Sequence, residues 1–249
     1  TKGCQSARTS SLSNLHTCCQ ERYSTLIREE NTRVADIPTL LVYRNTPQEA
    51  AKKGTILFYH GLAANKETGV KELNSLAEAG YLAVAVDNVG HGERRYEDFD
   101  HRFSGANPNL ESDFTQAVAE TAEEVPKLID ALCSRYGANE GKFAVAGISM
   151  GGFIAYRAIH VDKRLKVATP ILGSPKWKIK DSRSPHENLN RFYPCAILSQ
   201  NAGADESVPP AAARDLHQQL SDHYVRAPEK HKYVEFPNVG HFMPEDDWN

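Results

Sequence analysis

The residues best suited to chemistry form the segment Gly147-Ile-Ser149-Met-Gly151, which fits the pattern G-x-S-x-G. An apolar run at 143–146 precedes it, and apolar residues at helical spacing follow it. This context predicts a sharp turn from a buried strand into a helix, with Ser149 raised from the sheet as a nucleophile. The same pattern also occurs in glycine-rich connections with an incidental serine, so the hypothesis needs partner residues.

A serine hydroxyl needs a base to accept its proton and a carboxylate to orient that base. After such a turn the expected chain order is serine, acid, histidine. Asp205 and His241 each follow a late predicted strand, and parallel strands bring their carboxyl ends to one edge of a sheet. We therefore predict Ser149, Asp205 and His241 as a catalytic triad. The alternatives are a helix-capping Asp205 with Glu206 as the rival acid, and a solvated His241.

Acyl chemistry at a serine also requires donors for the oxyanion of the tetrahedral intermediate. The backbone N–H of Met150, directly after the serine, is one predicted donor. The N–H of Leu62 is the other, in a His60-Gly61-Leu62 loop that follows a predicted strand. A plain turn is the alternative for this loop, and we expect His60 to hold the loop rather than to transfer protons.

The elements that position these residues follow from apolar runs and turn signals. Strands are predicted at 23–29, 37–44, 55–59, 82–86, 143–146, 167–172, 195–199 and 233–236, and the first two could form an antiparallel edge of the sheet. Helices are predicted at 70–79, 111–135 with a kink at Pro126, 152–160 and 211–221. Segments 46–54 and 88–94 are predicted as loops, 95–108 as surface, and 173–194 as a polar link with one helical turn near 187–192. This alternation predicts an α/β fold with a mostly parallel twisted sheet and helices on both faces.

Composition narrows the function classes. The 249-residue chain is 40% hydrophobic and 24% charged, with a net charge of -3. This charge does not indicate binding to nucleic acid or to an anionic membrane, since both attract positively charged proteins. It has no apolar run long enough for a membrane span and no signal-peptide core, so we expect a cytoplasmic location. We predict residues 1–20 to be a poorly ordered arm and 21–249 to be one domain.

Cysteines and cofactor motifs add no further site. The odd number and irregular spacing of the cysteines indicate neither a disulfide framework nor a zinc site, and Cys133 and Cys195 are expected in the core. No H-E-x-x-H, P-loop or G-x-G-x-x-G pattern is present, so we predict no metal and no cofactor. The sequence leaves the oligomeric state open.

Taken together, these motifs resemble the α/β-hydrolase superfamily from about residue 23 to the C-terminus. The residues that carry the resemblance are Gly147-x-Ser149-x-Gly151, Gly203-x-Asp205 with Val208-Pro209, Gly240-His241 and His60-Gly61. The segment Asp87-x-x-Gly90-His91-Gly92-x-Arg94 is similar to dienelactone hydrolase-related esterases and the catalytic domains of prolyl oligopeptidase-type peptidases. True dienelactone hydrolases use cysteine as the nucleophile, whereas Ser149 stands here.

The resemblance implies a serine carboxylesterase that hydrolyses small, soluble, short-acyl esters through an acyl-enzyme. The 173–194 connection is too short for a large cap, and the short segment after His241 leaves little of the usual closing helix. A peptidase or acyl thioesterase is the alternative on the same fold, and a non-catalytic ligand-binding protein is the alternative of another class.

Two further sets of residues are candidates for substrate contacts. Arg94 and Arg95 either bind an acidic group of the substrate or belong to a solvated charged loop. Phe153, Trp177, Phe192 and Phe242 either line the acyl pocket or pack in the core.

Overall fold

A computed structural model describes residues 26–242, and these form an eight-stranded sheet flanked by helices. The strands are β1 Ile27–Val34, β2 Ile37–Arg44, β3 Thr55–Tyr59, β4 Leu82–Val86, β5 Phe143–Ile148, β6 Leu165–Ile171, β7 Ala196–Ala202 and β8 His231–Phe236. The helices are α1 Pro47–Lys53, α2 Val70–Glu78, α3 Phe99–Arg102, α4 Leu110–Glu123, α5 Val125–Tyr136, α6 Met150–Val161 and α7 Ala211–Leu220. The proposed arm at 1–20 lies outside the described residues.

The sheet has the order β1-β2-β4-β3-β5-β6-β7-β8. Strands β3 to β8 pair in parallel, while β1 and β2 form an antiparallel hairpin whose second strand pairs with β4. This arrangement confirms the predicted mostly parallel sheet. The carboxyl ends of β3, β5, β7 and β8 therefore share one edge, where ligands bind in open α/β sheets.

Helices cover both faces of the sheet, as the sequence predicts. On the central strands, side chains alternate between two apolar clusters: Leu57 and Tyr59 of β3 belong to the larger one, whereas Phe58 belongs to the smaller. Helices α4, α5 and α6 pack into the larger cluster, and α2 packs into the smaller one. The alternation follows from the two-residue period of a strand.

Two predictions near the N-terminus are wrong, one for the segment 46–54 and one for the end of the first strand. The segment predicted as a loop contains α1, where Thr46 accepts the Glu49 amide through Oγ1 at 3.3 Å and Pro47 occupies the first turn. The first strand does not end at Glu29 but continues through Asn31 to Val34, because Ala35 and Asp36 form the hairpin turn with φ of 51° and 63°. Residues 23–25 of the predicted strand lie outside the described residues.

Three other predicted elements also differ. The long helix is two helices, α4 and α5, which meet at Glu124, with Pro126 in the first turn of the second. The single turn expected near 187–192 is a pair of short 3₁₀ helices, Pro185–Glu187 and Leu189–Arg191. The segment 95–108, predicted as surface, includes α3, and the Phe99 side chain of this helix is buried.

Candidate active site

Ser149 lies at the sharp turn between β5 and α6, as the sequence predicts. Its backbone has φ 56° and ψ −115°, a strained conformation for a residue with a side chain. A Cβ on Gly151 would lie 1.9 Å from the Tyr59 carbonyl oxygen, and one on Gly147 would lie 2.4 Å from the Gly151 carbonyl oxygen. Both positions therefore require glycine because neighbouring backbone occupies the space of a side chain.

The structure brings Ser149, His241 and Asp205 into one hydrogen-bonded chain. The Ser149 Oγ lies 2.9 Å from His241 Nε2, and His241 Nδ1 lies 2.7 Å from Asp205 Oδ2. Because a carboxylate only accepts, Nδ1 carries the proton and Nε2 presents its lone pair to the serine hydroxyl. The Asp205 side chain is fully buried and the His241 ring is 15% exposed.

The loop after β7 fixes Asp205 by two backbone hydrogen bonds. The amides of Ser207 and Val208 donate to Asp205 Oδ1 at 2.9 and 2.8 Å, which leaves Oδ2 for His241. The alternative of a helix cap does not hold, since α7 is capped by Pro210 without a side-chain hydrogen bond. The rival acid Glu206 is exposed, whereas Asp205 contacts the histidine.

The two predicted oxyanion donors lie near the serine. Met150 is the first residue of α6, where an N–H has no partner within the helix. The loop with Leu62 adjoins the nucleophile, since a Cβ on Gly61 would lie 3.7 Å from the Ser149 Cβ. Within residues 26–242, neither the Met150 nor the Leu62 amide donates to a protein acceptor.

His60 fixes the peptide that presents the Leu62 amide. The His60 Nε2 accepts the Asn88 amide at 3.0 Å, so Nδ1 carries the proton that is donated to the Gly61 carbonyl at 2.7 Å. That carbonyl and the Leu62 N–H belong to one trans peptide and point in opposite directions. Burial lowers the pKa of His60 to about 4, so the ring is neutral near pH 7. This arrangement agrees with the expectation that His60 holds the loop.

Ser149 and His241 line a cavity of about 1040 Å³. Of the aromatic side chains suggested from the sequence, Phe153, Trp177 and Phe242 line it. Phe192 does not, because it is fully buried against the His160 ring, with centroids 4.6 Å apart. Three further aromatic side chains line the cavity and were not predicted from the sequence, because their spacing gives only a core or surface pattern: Phe58, Phe103 and Phe114.

The arginines proposed as substrate contacts bind protein carboxylates. Arg94 forms a two-pronged pair with Glu124, at 2.8 and 2.6 Å, and its Nε donates to the Asp87 carbonyl at 3.0 Å. Arg95 pairs with Asp100 at 2.7 Å. Arg94 thus fits neither suggested role, since it connects the loop after β4 to α4.

The described residues contain neither a metal-binding cluster nor a membrane-spanning helix. Over 26–242, no group of three or more His, Cys, Asp or Glu side chains is arranged to hold a metal ion. Over the same range, no helix combines the length and the apolar character that a bilayer crossing requires.

The chain matches known hydrolases in sequence and fold. YitV of Bacillus subtilis (strain 168), whose name assigns it provisionally as an esterase, is 24% identical over 88% of this chain and 94% of its own. "Esterase YjfP" of Escherichia coli (strain K12) is 26% identical over 60% of this chain and 56% of its own. The structure of TT1662 from Thermus thermophilus superposes with a TM-score of 0.73 at 22% identity, covering 87% of this chain and 91% of TT1662.

The structural likeness confirms the predicted α/β-hydrolase fold. The model of one hydrolase family, described as "Serine aminopeptidase, S33", matches residues 50–195. That segment is more than half of the chain and includes Ser149 and both predicted oxyanion donors. The chain therefore belongs to the serine aminopeptidase S33 family of α/β-hydrolases.

Proposed function

We propose that this protein is a serine carboxylesterase with Ser149, His241 and Asp205 as its catalytic triad. The observation that carries the proposal is the hydrogen-bonded chain from Ser149 Oγ through His241 to the buried Asp205 carboxylate. The amides of Met150 and Leu62 support it, because they are open donors beside the serine. The esterase names of YitV and YjfP support an ester as the substrate.

The reaction proceeds in two acyl-transfer steps. Ser149 Oγ attacks the ester carbonyl carbon while His241 Nε2 takes the hydroxyl proton, and Asp205 stabilises the imidazolium. The tetrahedral oxyanion accepts hydrogen bonds from the Met150 and Leu62 amides. Collapse breaks the carbon–oxygen bond, and His241 returns the proton to the leaving alcohol. Water then attacks the acyl-enzyme by the same route and releases the acid.

Small, soluble esters are the proposed substrates, because the 173–194 connection contains only two short 3₁₀ helices and is too short for a large cap. The second candidate function is a peptidase, which the description of the matched family favours. Turnover of 4-nitrophenyl butyrate, a peptide anilide and an acyl-CoA separates esterase, peptidase and thioesterase. Tight ligand binding without any turnover would instead indicate a binding protein.

The experiment that tests the proposal is labelling with a fluorophosphonate probe, followed by mass spectrometry of the intact protein and its peptides. We expect one adduct on Ser149 that is lost in Ser149→Ala and in His241→Ala. Ser112→Ala, at an exposed position on α4, is the matched control and retains the label. A protein that is folded by circular dichroism yet remains unlabelled would refute the proposal.

A further inference from the structure

The cavity beside Ser149 is larger than a short acyl group requires. Its volume of about 1040 Å³ lies at the upper end of the range of about 300–1,000 Å³ for small-molecule sites. Aromatic side chains from separate parts of the chain line it, namely Phe58, Phe103, Phe114, Phe153 and Trp177. Phe114 on α4 meets Phe153 on α6 edge to face, with ring centroids 5.1 Å apart.

The buried hydroxyl and imidazole side chains of this lining are already hydrogen-bonded within the protein, whereas the buried indole N–H of Trp177 has no partner among the described residues. Thr115 donates to the Glu111 carbonyl and Ser174 donates to the Lys176 carbonyl, both at 2.8 Å. Both ring nitrogens of His60 are bonded as well. A sugar or a peptide backbone placed here would lose hydrogen bonds to water and find few new partners.

The charged residues of the lining add no preference for a charged substrate. They are two acids and two bases, Glu72, Glu111, Lys176 and Lys178. Lys178 pairs with Glu111 at 2.6 Å, and both side chains are well exposed. The lining therefore has no net charge from these groups, and its interior favours apolar contacts.

We infer that this cavity binds a bulky apolar group of the ester, such as an aromatic ring or a medium-length alkyl chain. The inference rests on the proposed function, and it replaces the short-acyl esters expected from the sequence with esters that carry a larger apolar group. Short-acyl esters fill only part of the cavity, so they are hydrolysed less efficiently than esters with a larger apolar group.

The test is kcat/KM for 4-nitrophenyl acetate, butyrate, hexanoate and octanoate, together with phenylacetate. We expect a rise of roughly fifteenfold from butyrate to hexanoate, since each of the two added methylenes contributes about fourfold when fully buried. Phe114→Ala reduces hexanoate hydrolysis more than acetate hydrolysis. Phe236→Ala, at a partly buried position outside the lining, changes both equally.

A protein that hydrolyses acetate or butyrate best would overturn this inference. Equal losses for acetate and hexanoate in Phe114→Ala would also overturn it. Failure of the proposed function is distinguishable, because it appears as an unlabelled Ser149 rather than as an altered chain-length preference.

An independent observation concerns Lys66, a charged side chain that is only 4% exposed. Its Nζ lies 2.7 Å from Glu93, 2.9 Å from Glu67 and 3.7 Å from Asp87. Its backbone amide donates to Asp87 Oδ1 at 2.9 Å. Leu62, the proposed oxyanion donor, lies in the same loop.

The Asp87 carboxylate joins this loop to the one after β4. Asp87 is fully buried, and its Oδ2 accepts the Glu93 amide at 2.8 Å while Oδ1 accepts the Lys66 amide. A Cβ on Gly92 would lie 2.1 Å from the Asp87 carboxyl carbon, so the second loop closes directly over the carboxylate. These contacts join the same two loops that the hydrogen bonds between His60 and Asn88 also connect.

We propose that Lys66 and Asp87 are positioning residues for the Leu62 amide. They contact no reacting atom, and they act by keeping the loop at the distance at which its N–H meets the oxyanion. A buried amine that neutralises several carboxylates is costly to replace, so the arrangement is lost when the charge is removed.

The test compares Lys66→Met, which keeps the length of the side chain, with Arg33→Ala, which removes an exposed ion pair to the same Glu93. We expect Lys66→Met to lower kcat about tenfold or more with KM within about threefold, because the oxyanion forms only along the reaction. Affinity for a trifluoromethyl ketone, which forms a tetrahedral adduct, falls by the same factor. Arg33→Ala retains both values.

Unchanged kcat in folded Lys66→Met, or a change in KM alone, would overturn this second proposal. If Lys66→Met does not fold, Glu93→Gln decides, since that side chain is half exposed and the amide retains an acceptor. A folded Glu93→Gln variant with unaltered kcat and ketone affinity would then count against the proposal.

Discussion

Asp205→Asn removes one negative charge from the proposed triad without changing the shape of the side chain. The loop decides how the new amide is oriented, because the Ser207 and Val208 amides both donate to Oδ1. An oxygen must stay at that position, so the amide NH₂ group faces His241 Nδ1, 2.7 Å away in the parent protein. Because the new NH₂ group and the Nδ1–H group of His241 are both donors, they cannot form a hydrogen bond with each other. Nδ1 must therefore lose its proton to accept from the NH₂ group.

The imidazole then carries its proton on Nε2, where it can no longer accept the Ser149 hydroxyl proton. The same substitution in a serine protease lowers kcat by about 10⁴-fold through the wrong tautomer. That factor corresponds to about 5 kcal/mol of activation free energy. We expect a loss of about 10³- to 10⁴-fold here, since both backbone donors orient the amide in the unfavourable direction.

The assay is kcat for 4-nitrophenyl hexanoate together with the rate of fluorophosphonate labelling of Ser149. Asp215→Asn, at an exposed position on α7, is the matched control and retains full activity. A loss below about tenfold in Asp205→Asn, with the parent thermal stability, would refute the assignment of Asp205 as the orienting acid.

Two predictions concern stability. Gly151→Ala places a Cβ 1.9 Å from the Tyr59 carbonyl oxygen, so we expect it to lower the free energy of unfolding, measured in urea, by about 3 kcal/mol or more. The control is Gly105→Ala, where no atom lies within 4 Å of the added Cβ, and it changes this free energy by less than about 0.5 kcal/mol. Equal effects of the two substitutions would contradict this reasoning. Burial lowers the pKa of His60 to about 4 and those of His160 and His217 to about 3. The unfolded chain therefore binds more protons below about pH 6.5, and the free energy of unfolding decreases as the pH falls from 7 to 5. Urea titrations at each pH check this slope, which becomes shallower in His160→Leu and stays the same when the exposed His101 is replaced by Asn; a steeper slope in His160→Leu would contradict it.

Much of the fold could be predicted from the sequence because strand and helix patterns are local. The apolar run before Ser149 and the helical spacing after it lie within a few residues of each other, and β5 and α6 form there. A local signal for α1 was also present, in Thr46 and Pro47, but the polar composition of the segment favoured a loop. The first strand extends beyond its predicted end because the turn lies at Ala35 and Asp36, and alanine rarely adopts the positive φ that this turn requires.

The chain order serine, acid, histidine is visible in the sequence, and this order identified Ser149, Asp205 and His241 as the candidate triad. The contacts themselves join residues 92 and 36 positions apart, and only the sheet brings them within 2.9 and 2.7 Å. The choice of Asp205 over Glu206 depends on which side chain the β7 loop turns inward. Tertiary packing likewise directs Arg94 to Glu124 and places Phe192 in the core but Phe153 in the cavity wall. The sequence does not show whether an arginine binds substrate or a protein carboxylate, or whether a phenylalanine lines a cavity or packs in the core, because the partners come from distant segments of the chain.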